Sequence, residues 1–201
     1  MPFCFEKISY SYKIMYSLSM ASVFFFSYCL AKHHYPDIEN HVNQEVVDCG
    51  FLSAKHRTKL DFIPLVVDDE YYVILSPDHS PCRFERIPIE ALNGERMVLM
   101  DDGGEGYDTM SILKNLSYTV VHWVNEDFLA LPLVECGLGI SILPKLIIDI
   151  FCNTTNVVTK RFAVPRYRTI GIVVKNINDI SPLTKLFIST VQDFVKNHVQ
   201  K

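Results

Sequence analysis

The stretch Val134–Pro144, with the sequence VECGLGISILP, constrains the fold of this chain more than any other. An apolar helical pattern leads into Gly137, where a helix is predicted to end because glycine adopts the left-handed conformation without a Cβ clash. Gly139 allows a second close backbone approach, and Ile140–Leu143 has the apolar content of a short buried strand. Pro144 suits the start of a new helix, since its missing N–H would have no partner there. This order of elements predicts a parallel α/β sheet.

Segments rich in β-branched and aromatic residues alternate with helical patterns along the chain, as in α/β proteins. Pro36 is predicted to close a helix, and Asp68-Asp69-Glu70 is predicted to form a charged turn between two strands. The predicted strands are Asp37–Asn40, Val46–Leu52, Leu60–Asp69, Tyr71–Leu75, Met97–Met100, Thr119–Val124, Val157–Phe162 and Arg168–Val174. The predicted helices are Pro88–Leu92, Tyr107–Asn115, one capped by Asn125 or Asp127 and running to Cys136, and one beginning at Pro182.

The last of these helices has the clearest pattern. Ser181 can cap it, and Pro182 suits its first position. Lys196 and His198 lie near its C-terminus, where positive charge is favourable. Its apolar residues are predicted to form one face: Leu183, Leu186, Phe187, Thr190, Val191 and Phe194.

The charge balance gives no reason to expect nucleic-acid binding. The 201 residues carry a formal net charge of −4, and 49% apolar with 21% charged residues is typical of a globular protein. Neutralising phosphates requires clustered Lys and Arg. The nearest such cluster is interpreted as a solvated strand edge: Lys160, Arg161, Arg166 and Arg168. The six cysteines include no Cys-x-x-Cys pair, so zinc ribbons and thioredoxin-like motifs are not predicted.

The sequence also carries no motif of a common catalytic type. It contains no Gly-x-Ser-x-Gly, no His-Glu-x-x-His, and no Gly-x-Gly-x-x-Gly opening a helix after a strand. Cys49 and Cys136 lie in apolar runs and are interpreted as buried thiols. Trp123, at a strand end, either lines a pocket or belongs to the core. We therefore expect no enzymatic activity, no cofactor and no bound metal.

The N-terminal segment Ile14–Ala31 is almost uncharged and admits two interpretations. It has the length of a signal-peptide apolar region or a marginal membrane span. Five serines within or beside it, and a weak positive flank, favour instead a strand and helix of a soluble cytoplasmic domain.

Residues 133–147 (LVECGLGISILPKLI) resemble the pattern V-x-x-G-x-G-I-x-x-L-P found late in the effector-binding domain of LysR-type transcriptional regulators. Val47–Leu52 and Leu65–His79 match in the same order, as do Tyr167–Gly171 and Ser181-Pro182 near the end, so the resemblance covers roughly residues 13–197. It implies a two-lobe, periplasmic-binding-protein-like (type II) α/β fold with crossing hinge strands. Lobe I would comprise 13–78 and 166–201, beginning with a strand Lys13–Tyr16 and a helix Met20–His33, and lobe II would comprise 79–165, after an extension of residues 1–12.

The resemblance also implies a function, which is the sensing of a small polar or anionic metabolite in a cleft, with regulation of transcription as the outcome. Family domains pair through exposed helices, so a homodimer or partner subunit is expected, with Phe25 facing the partner. By position within the motif order, the implied effector-binding residues are Ser17, Ser19, Ser53, Asp101, Asp102, Gly103, Trp123 and Asn125.

Two departures from the family pattern modify these expectations. No winged helix-turn-helix fits before residue 13, so we expect a truncated regulator that contacts DNA only through a full-length or separate partner. The family carries a helix between the segments matching Asp37–Asn40 and Val46–Leu52, and the short connection here predicts an incomplete first lobe. The alternative function is a secreted or membrane-tethered solute-binding protein of the same fold, with residues 14–31 as signal or anchor.

Overall fold

The computed structural model describes residues 35–53, 59–101, 108–151 and 155–198. The predicted strand at Lys13–Tyr16, the helix at Met20–His33 and the apolar run Ile14–Ala31 lie outside these residues. Short 3₁₀ turns occur at Ser80–Arg83, Ile89–Leu92 and Ile177–Asp179. The strands are β1 Gly50–Ser53, β2 Asp61–Leu75, β3 Arg96–Met100, β4 Thr119–Val124, β5 Ser141–Pro144, β6 Val158–Arg161 and β7 Tyr167–Val174. The helices are α1 Tyr35–Asn43, α2 Asp108–Leu113, α3 Asp127–Glu135, α4 Lys145–Phe151 and α5 Pro182–His198.

The described chain divides into two compact units. One contains residues 68–168, and the other contains residues 35–67 and 169–198. The chain passes from one unit to the other within β2 and again within β7, because the divisions at 67/68 and 168/169 fall inside these two strands. The lobe boundaries inferred from sequence, 78/79 and 165/166, stay a prediction.

The 68–168 unit contains the parallel pairing predicted from the glycine stretch, but its strands pair in both directions, so the arrangement is mixed. Strand β3 pairs in parallel with β4, and a parallel bridge joins Met97 of β3 to Ile140 at the start of β5. Strands β5 and β6 pair antiparallel with β2. Alternate residues of β3 enter different apolar clusters, Met97 and Leu99 in one, Val98 and Met100 in the other. Both faces of the sheet are therefore buried, as a parallel sheet requires.

The glycine stretch itself has the predicted geometry. Gly137 has a φ of 72° after α3, and a Cβ on Gly139 would lie 2.5 Å from the carbonyl oxygen of Arg96. The close approach lets the N–H of Ile140 donate to the same Arg96 oxygen at 2.8 Å. The N–H of Val98 in turn donates to the Ile140 oxygen at 2.8 Å. Gly139 therefore holds β5 against β3.

The other unit contains a helix where sequence analysis predicts a strand. Residues 37–40, predicted as a short strand, belong to α1, in which Ile38 and Val42 lie one turn apart and contact β1 and β7 residues. Pro36 lies in the first turn of this helix rather than after the last, because a first-turn proline sacrifices no helical hydrogen bond. The strand prediction was wrong. The expectation of an incomplete first lobe stays a prediction.

The predicted start of helix α5 is correct. The face that it buries is shifted by about one residue from the predicted apolar face. The N–H of Thr184 donates to the Ser181 hydroxyl at 3.0 Å, which is the predicted cap. Thr184, Ile188, Val191 and Val195 are buried. Leu183 and Leu186 are exposed, although both are apolar.

Strand β2 corrects the predicted turn at Asp68-Asp69-Glu70. The strand is continuous from Asp61 to Leu75, and Asp68 lies within it at a φ of 62°. Aspartate tolerates this left-handed conformation better than most residues, because its short polar side chain can hydrogen-bond locally. The irregular residue therefore lies next to the point where β2 passes between units.

Candidate functional site

The parallel pairing of β3 and β4 brings their carboxyl ends side by side. Met100 is paired with Val124, and the N–H of Asp101 donates to the Val124 oxygen at 3.0 Å. Asp101 and Asn125 therefore begin neighbouring loops at the same end of the sheet. In open α/β sheets, ligands bind outside the carboxyl ends of parallel strands.

Trp123, the only tryptophan of the chain, lies at this sheet end. Its side chain is 52% exposed, whereas its strand partner Leu99 is buried. The core interpretation of Trp123 is therefore wrong. Phe128 and Leu129, in the first turn of α3, are also substantially exposed. Exposed apolar side chains beside polar loop residues are the usual composition of a small-molecule site.

Helix α3 begins at this end of the sheet, and its start differs from prediction. Glu126, with an extended backbone at φ −130°, occupies the N-cap position, and its side chain makes no capping hydrogen bond. Neither Asn125 nor Asp127 is the N-cap. Asn125 is exposed and precedes the N-cap residue, so it lies at the surface of the loop before the helix.

The structure places three of the eight implied effector residues together: Asp101, Trp123 and Asn125. Ser53, at the end of β1 opposite Ile170, is buried and belongs to the other unit. The remaining four, Ser17, Ser19, Asp102 and Gly103, lie outside the described residues.

The 68–168 unit contains a largely shielded ion pair that the sequence did not predict. One carboxylate oxygen of Asp69 accepts from Arg168 Nε at 2.9 Å, and the other accepts from the N–H of Leu146 at 3.1 Å. The Asp69 side chain is 1% exposed and that of Arg168 is 13% exposed. Asp69 thus joins β2 to β7 and to the start of α4, where a negative charge also complements the helix dipole. Its signal in the sequence is an aspartate inside an apolar strand.

The basic cluster interpreted as a solvated strand edge is only partly solvated. The Arg168 side chain is 13% exposed and is paired with Asp69. Arg161 is about half exposed, donates from Nε to the Tyr72 hydroxyl at 2.9 Å, and lies 3.4 Å from the Glu70 carboxylate. The hydrogen bond to Tyr72, with the nearby Glu70 charge, raises the pKa of the Arg161 guanidinium. Two of its four cations are therefore paired within the protein.

The described cysteines differ in burial. Burial, with a smaller contribution from the Asp48 charge, raises the pKa of the Cys49 thiol to about 11, so Cys49 is protonated at neutral pH. Cys136 is exposed, which corrects its interpretation as a buried thiol. Across the described residues, no three His, Cys, Asp or Glu side chains are grouped as metal ligands would be.

None of the helices within the described ranges is both long enough and apolar enough to cross a bilayer.

A family model for the LysR substrate binding domain matches residues 30–196. A search of curated protein sequences gave no match. The regulatory domain of Synechocystis PCC6803 CcmR, solved in complex with 2-PG, has a TM-score of 0.77 and 16% identity, covering 94% of this chain and 92% of that one.

Two further solved structures have the same fold. The effector binding domain of QuiR, solved with shikimate, has a TM-score of 0.67 and 18% identity, covering 94% of this chain and 91% of that one. The reduced form of the OxyR regulatory domain from Pseudomonas aeruginosa has a TM-score of 0.65 and 19% identity, covering 80% of this chain and 79% of that one. At these identities the likeness establishes the two-lobe regulatory-domain fold, and the bound molecules remain properties of those proteins.

Proposed function

The chain belongs to the LysR substrate-binding domain family, and on that premise we propose that it binds its effector at the carboxyl end of the β3–β4 pair. Binding there would make the chain the ligand-sensing part of a transcriptional regulator. The observation that carries the proposal is the hydrogen bond from Asp101 to Val124, which brings the Asp101 and Asn125 loops together beside the exposed Trp123.

We propose a small polar or anionic metabolite as the effector. Asp101 and Glu126 offer carboxylate acceptors at this sheet end, which suit hydroxyl or ammonium groups of a ligand. The ring of Trp123 offers an apolar surface for its carbon skeleton. The binding of 2-PG by CcmR and of shikimate by QuiR supports an effector of similarly small size. The remaining implied positions, Ser17, Ser19, Ser53, Asp102 and Gly103, stay predictions.

The matched family is a substrate-binding one, and we propose binding without turnover or cofactor for this chain. We also assign specific DNA contacts to a full-length or separate DNA-binding partner. With a formal net charge of −4, the chain has no excess of positive charge with which to neutralise phosphates. A sequence-specific mobility shift by this chain alone would contradict that assignment.

A thermal-shift screen of polar metabolites tests the proposed site. A ligand present at about 100 times its Kd stabilises the native state by about 2.7 kcal/mol, which corresponds to roughly 5–10 °C for a chain of this size. We expect Asn125→Ala and Trp123→Ala to reduce this shift to less than about half, since each removes a ligand contact.

The matched control is His122→Ala, which truncates the exposed neighbour of Trp123 on the same strand. Each variant is compared with its own ligand-free melting temperature, so that changes in intrinsic stability cancel. Equal shifts in the wild type, Asn125→Ala and Trp123→Ala would place the effector elsewhere.

We further propose that the chain forms a homodimer through α5. Leu183 and Leu186 project from this helix into solvent, 48% and 63% exposed, while the opposite face is buried in the unit. A second copy would cover them. Phe25, the residue expected to face a partner, lies outside the described residues and stays a prediction.

Light scattering of the purified chain tests this interface. Leu186→Glu should convert dimer to monomer, because the new charge would be buried at the interface. Gln192→Glu adds the same charge at another exposed position of α5 and should leave the dimer intact. A monomeric wild type, or equal effects of both variants, would rule out this arrangement.

A further inference from the structure

A tight turn leads from the 3₁₀ turn Ile89–Leu92 into β3 and contains the one asparagine of the chain that is followed by glycine, Asn93. The N–H of Glu95 donates to the Leu92 oxygen at 3.3 Å across this turn. Asn93 has a φ of −71° and a ψ of 129°, and Gly94 has a φ of 82°, which are the angles of a type II turn. Both residues are exposed, and a Cβ on Gly94 would meet no atom within 4 Å. Solvent therefore reaches the asparagine side chain and the peptide bond that follows it.

Two hydrogen bonds to the main chain of Ser117, in the loop before β4, hold this turn. The N–H of Ser117 donates to Asn93 Oδ1 at 2.9 Å, and the N–H of Gly94 donates to the Ser117 oxygen at 2.6 Å. We call this pair of bonds the Ser117 clamp. It engages the side-chain carbonyl of Asn93 and the main-chain nitrogen of Gly94 at the same time. The extended ψ of Asn93 also turns the Gly94 nitrogen away from the Asn93 side chain.

We propose that Asn93 is a site of spontaneous deamidation and that the Ser117 clamp holds this reaction back in the folded chain. In the reaction the Gly94 nitrogen attacks Cγ of Asn93, a C–N bond forms, and the side-chain nitrogen leaves as ammonia with the proton of the Gly94 N–H. Water then opens the resulting succinimide ring at either carbonyl, which gives aspartate or isoaspartate. Glycine favours the attack because it carries no side chain beside its nitrogen.

Ring closure requires ψ of Asn93 to rotate, and this rotation breaks the turn and both bonds of the clamp. Deamidation in the folded chain therefore proceeds from a locally open form of the turn. Two hydrogen bonds of ordinary strength keep the open form to at most about a tenth of the chains. The site precedes β3, whereas the proposed effector site follows it, so the modification goes beyond the effector function and does not depend on it.

Peptide mapping of the full-length chain, incubated at mildly alkaline pH, measures the reaction. Trypsin releases residues 87–96, which include Asn93 and no other asparagine, and deamidation appears as the mass increase of amide-to-acid conversion. A synthetic peptide of the same sequence gives the unrestrained rate. We expect Asn93 to react at least about tenfold more slowly in the folded chain than in this peptide. In the urea-unfolded chain, Asn93 should react faster than every other asparagine.

Two variants of Ser117 separate the clamp from the rest of the turn. Ser117→Pro removes the N–H that donates to Asn93 Oδ1 and should accelerate deamidation in the folded chain several-fold. Ser117→Ala, the matched control, keeps both main-chain groups and should leave the rate unchanged. If Ser117→Pro fails to fold, hydrogen exchange of the wild type decides. Urea below the unfolding midpoint should raise the exchange rate of the Gly94 N–H and the deamidation rate of Asn93 together.

Several results would overturn the proposal. Equal rates in the folded chain and the peptide, or equal effects of the two Ser117 variants, would show that the clamp does not restrain the reaction. Faster Gly94 exchange without faster deamidation would show the same. Another asparagine that reacts ahead of Asn93 in the unfolded chain would remove Asn93 as the site.

Discussion

Replacing Asp69 with alanine is expected to lower the free energy of unfolding by about 3–5 kcal/mol, because the substitution removes the buried carboxylate that pairs with the largely shielded Arg168 guanidinium. It also removes the acceptor for the Leu146 N–H at the start of α4. Three elements, β2, β7 and α4, would lose their common polar contact. Urea unfolding followed by circular dichroism measures the change.

Two further variants separate the contribution of the Asp69 charge to stability from the contribution of its burial. Asp149→Ala removes an exposed i,i+4 pair with Lys145, in which the two side chains are 2.7 Å apart, and should cost no more than about 0.5 kcal/mol. Asp69→Asn keeps an acceptor for Leu146 and loses the charge, so its cost should lie between these values. A loss below about 1 kcal/mol for Asp69→Ala would show that the pair does not hold this unit together.

The second large effect is expected at Gly139. An alanine Cβ there would lie 2.5 Å from the Arg96 carbonyl oxygen, which is backbone and cannot rotate away. Strand β5 must then move from β3, weakening the two 2.8 Å hydrogen bonds between Ile140 and β3. We expect a loss of about 2–3 kcal/mol, toward the upper end for overpacking, measured by urea unfolding.

Gly137→Ala is the matched control, two residues away. A Cβ at Gly137 meets no atom within 4 Å, so the cost there comes only from its φ of 72° and should be about 1 kcal/mol. Equal losses at Gly137 and Gly139 would show that backbone conformation, and not the close approach of β5 to β3, is what glycine supplies at both positions.

Sequence patterns sufficed where local chemistry alone determines the structure. The glycine turn follows from the positive φ open to Gly137 and from the missing Cβ of Gly139. The Ser181 cap follows from a single side-chain hydrogen bond, and Thr119–Val124 is a strand with the predicted bounds. The likeness of the whole motif order to one family correctly gave the two-lobe fold. Asp101 and Asn125 begin neighbouring loops because parallel strands end at a shared edge, and their role as effector contacts stays a prediction.

Features that depend on tertiary packing were not predictable in the same way. A four-residue segment such as 37–40 fits both periodicities, and only the burial of Val42 beside β1 distinguishes helix from strand. Leu183 and Leu186 are as apolar as the residues buried on α5, so composition could not indicate their exposure. Asp69 and Arg168 are 99 positions apart, and no local signal connects them. The exposure of Trp123 likewise depends on which elements pack over β4, and the local sequence does not indicate this.

Fluorescence of Trp123 tests the central claim most directly, because it is the only tryptophan and lies at the proposed effector site. A metabolite that stabilises the chain should change the emission saturably, with the same Kd as the thermal shift. The largely exposed indole should move toward shorter wavelength as the ligand covers it. A ligand that raises the melting temperature while leaving the emission unchanged would contradict effector binding at the β3–β4 end.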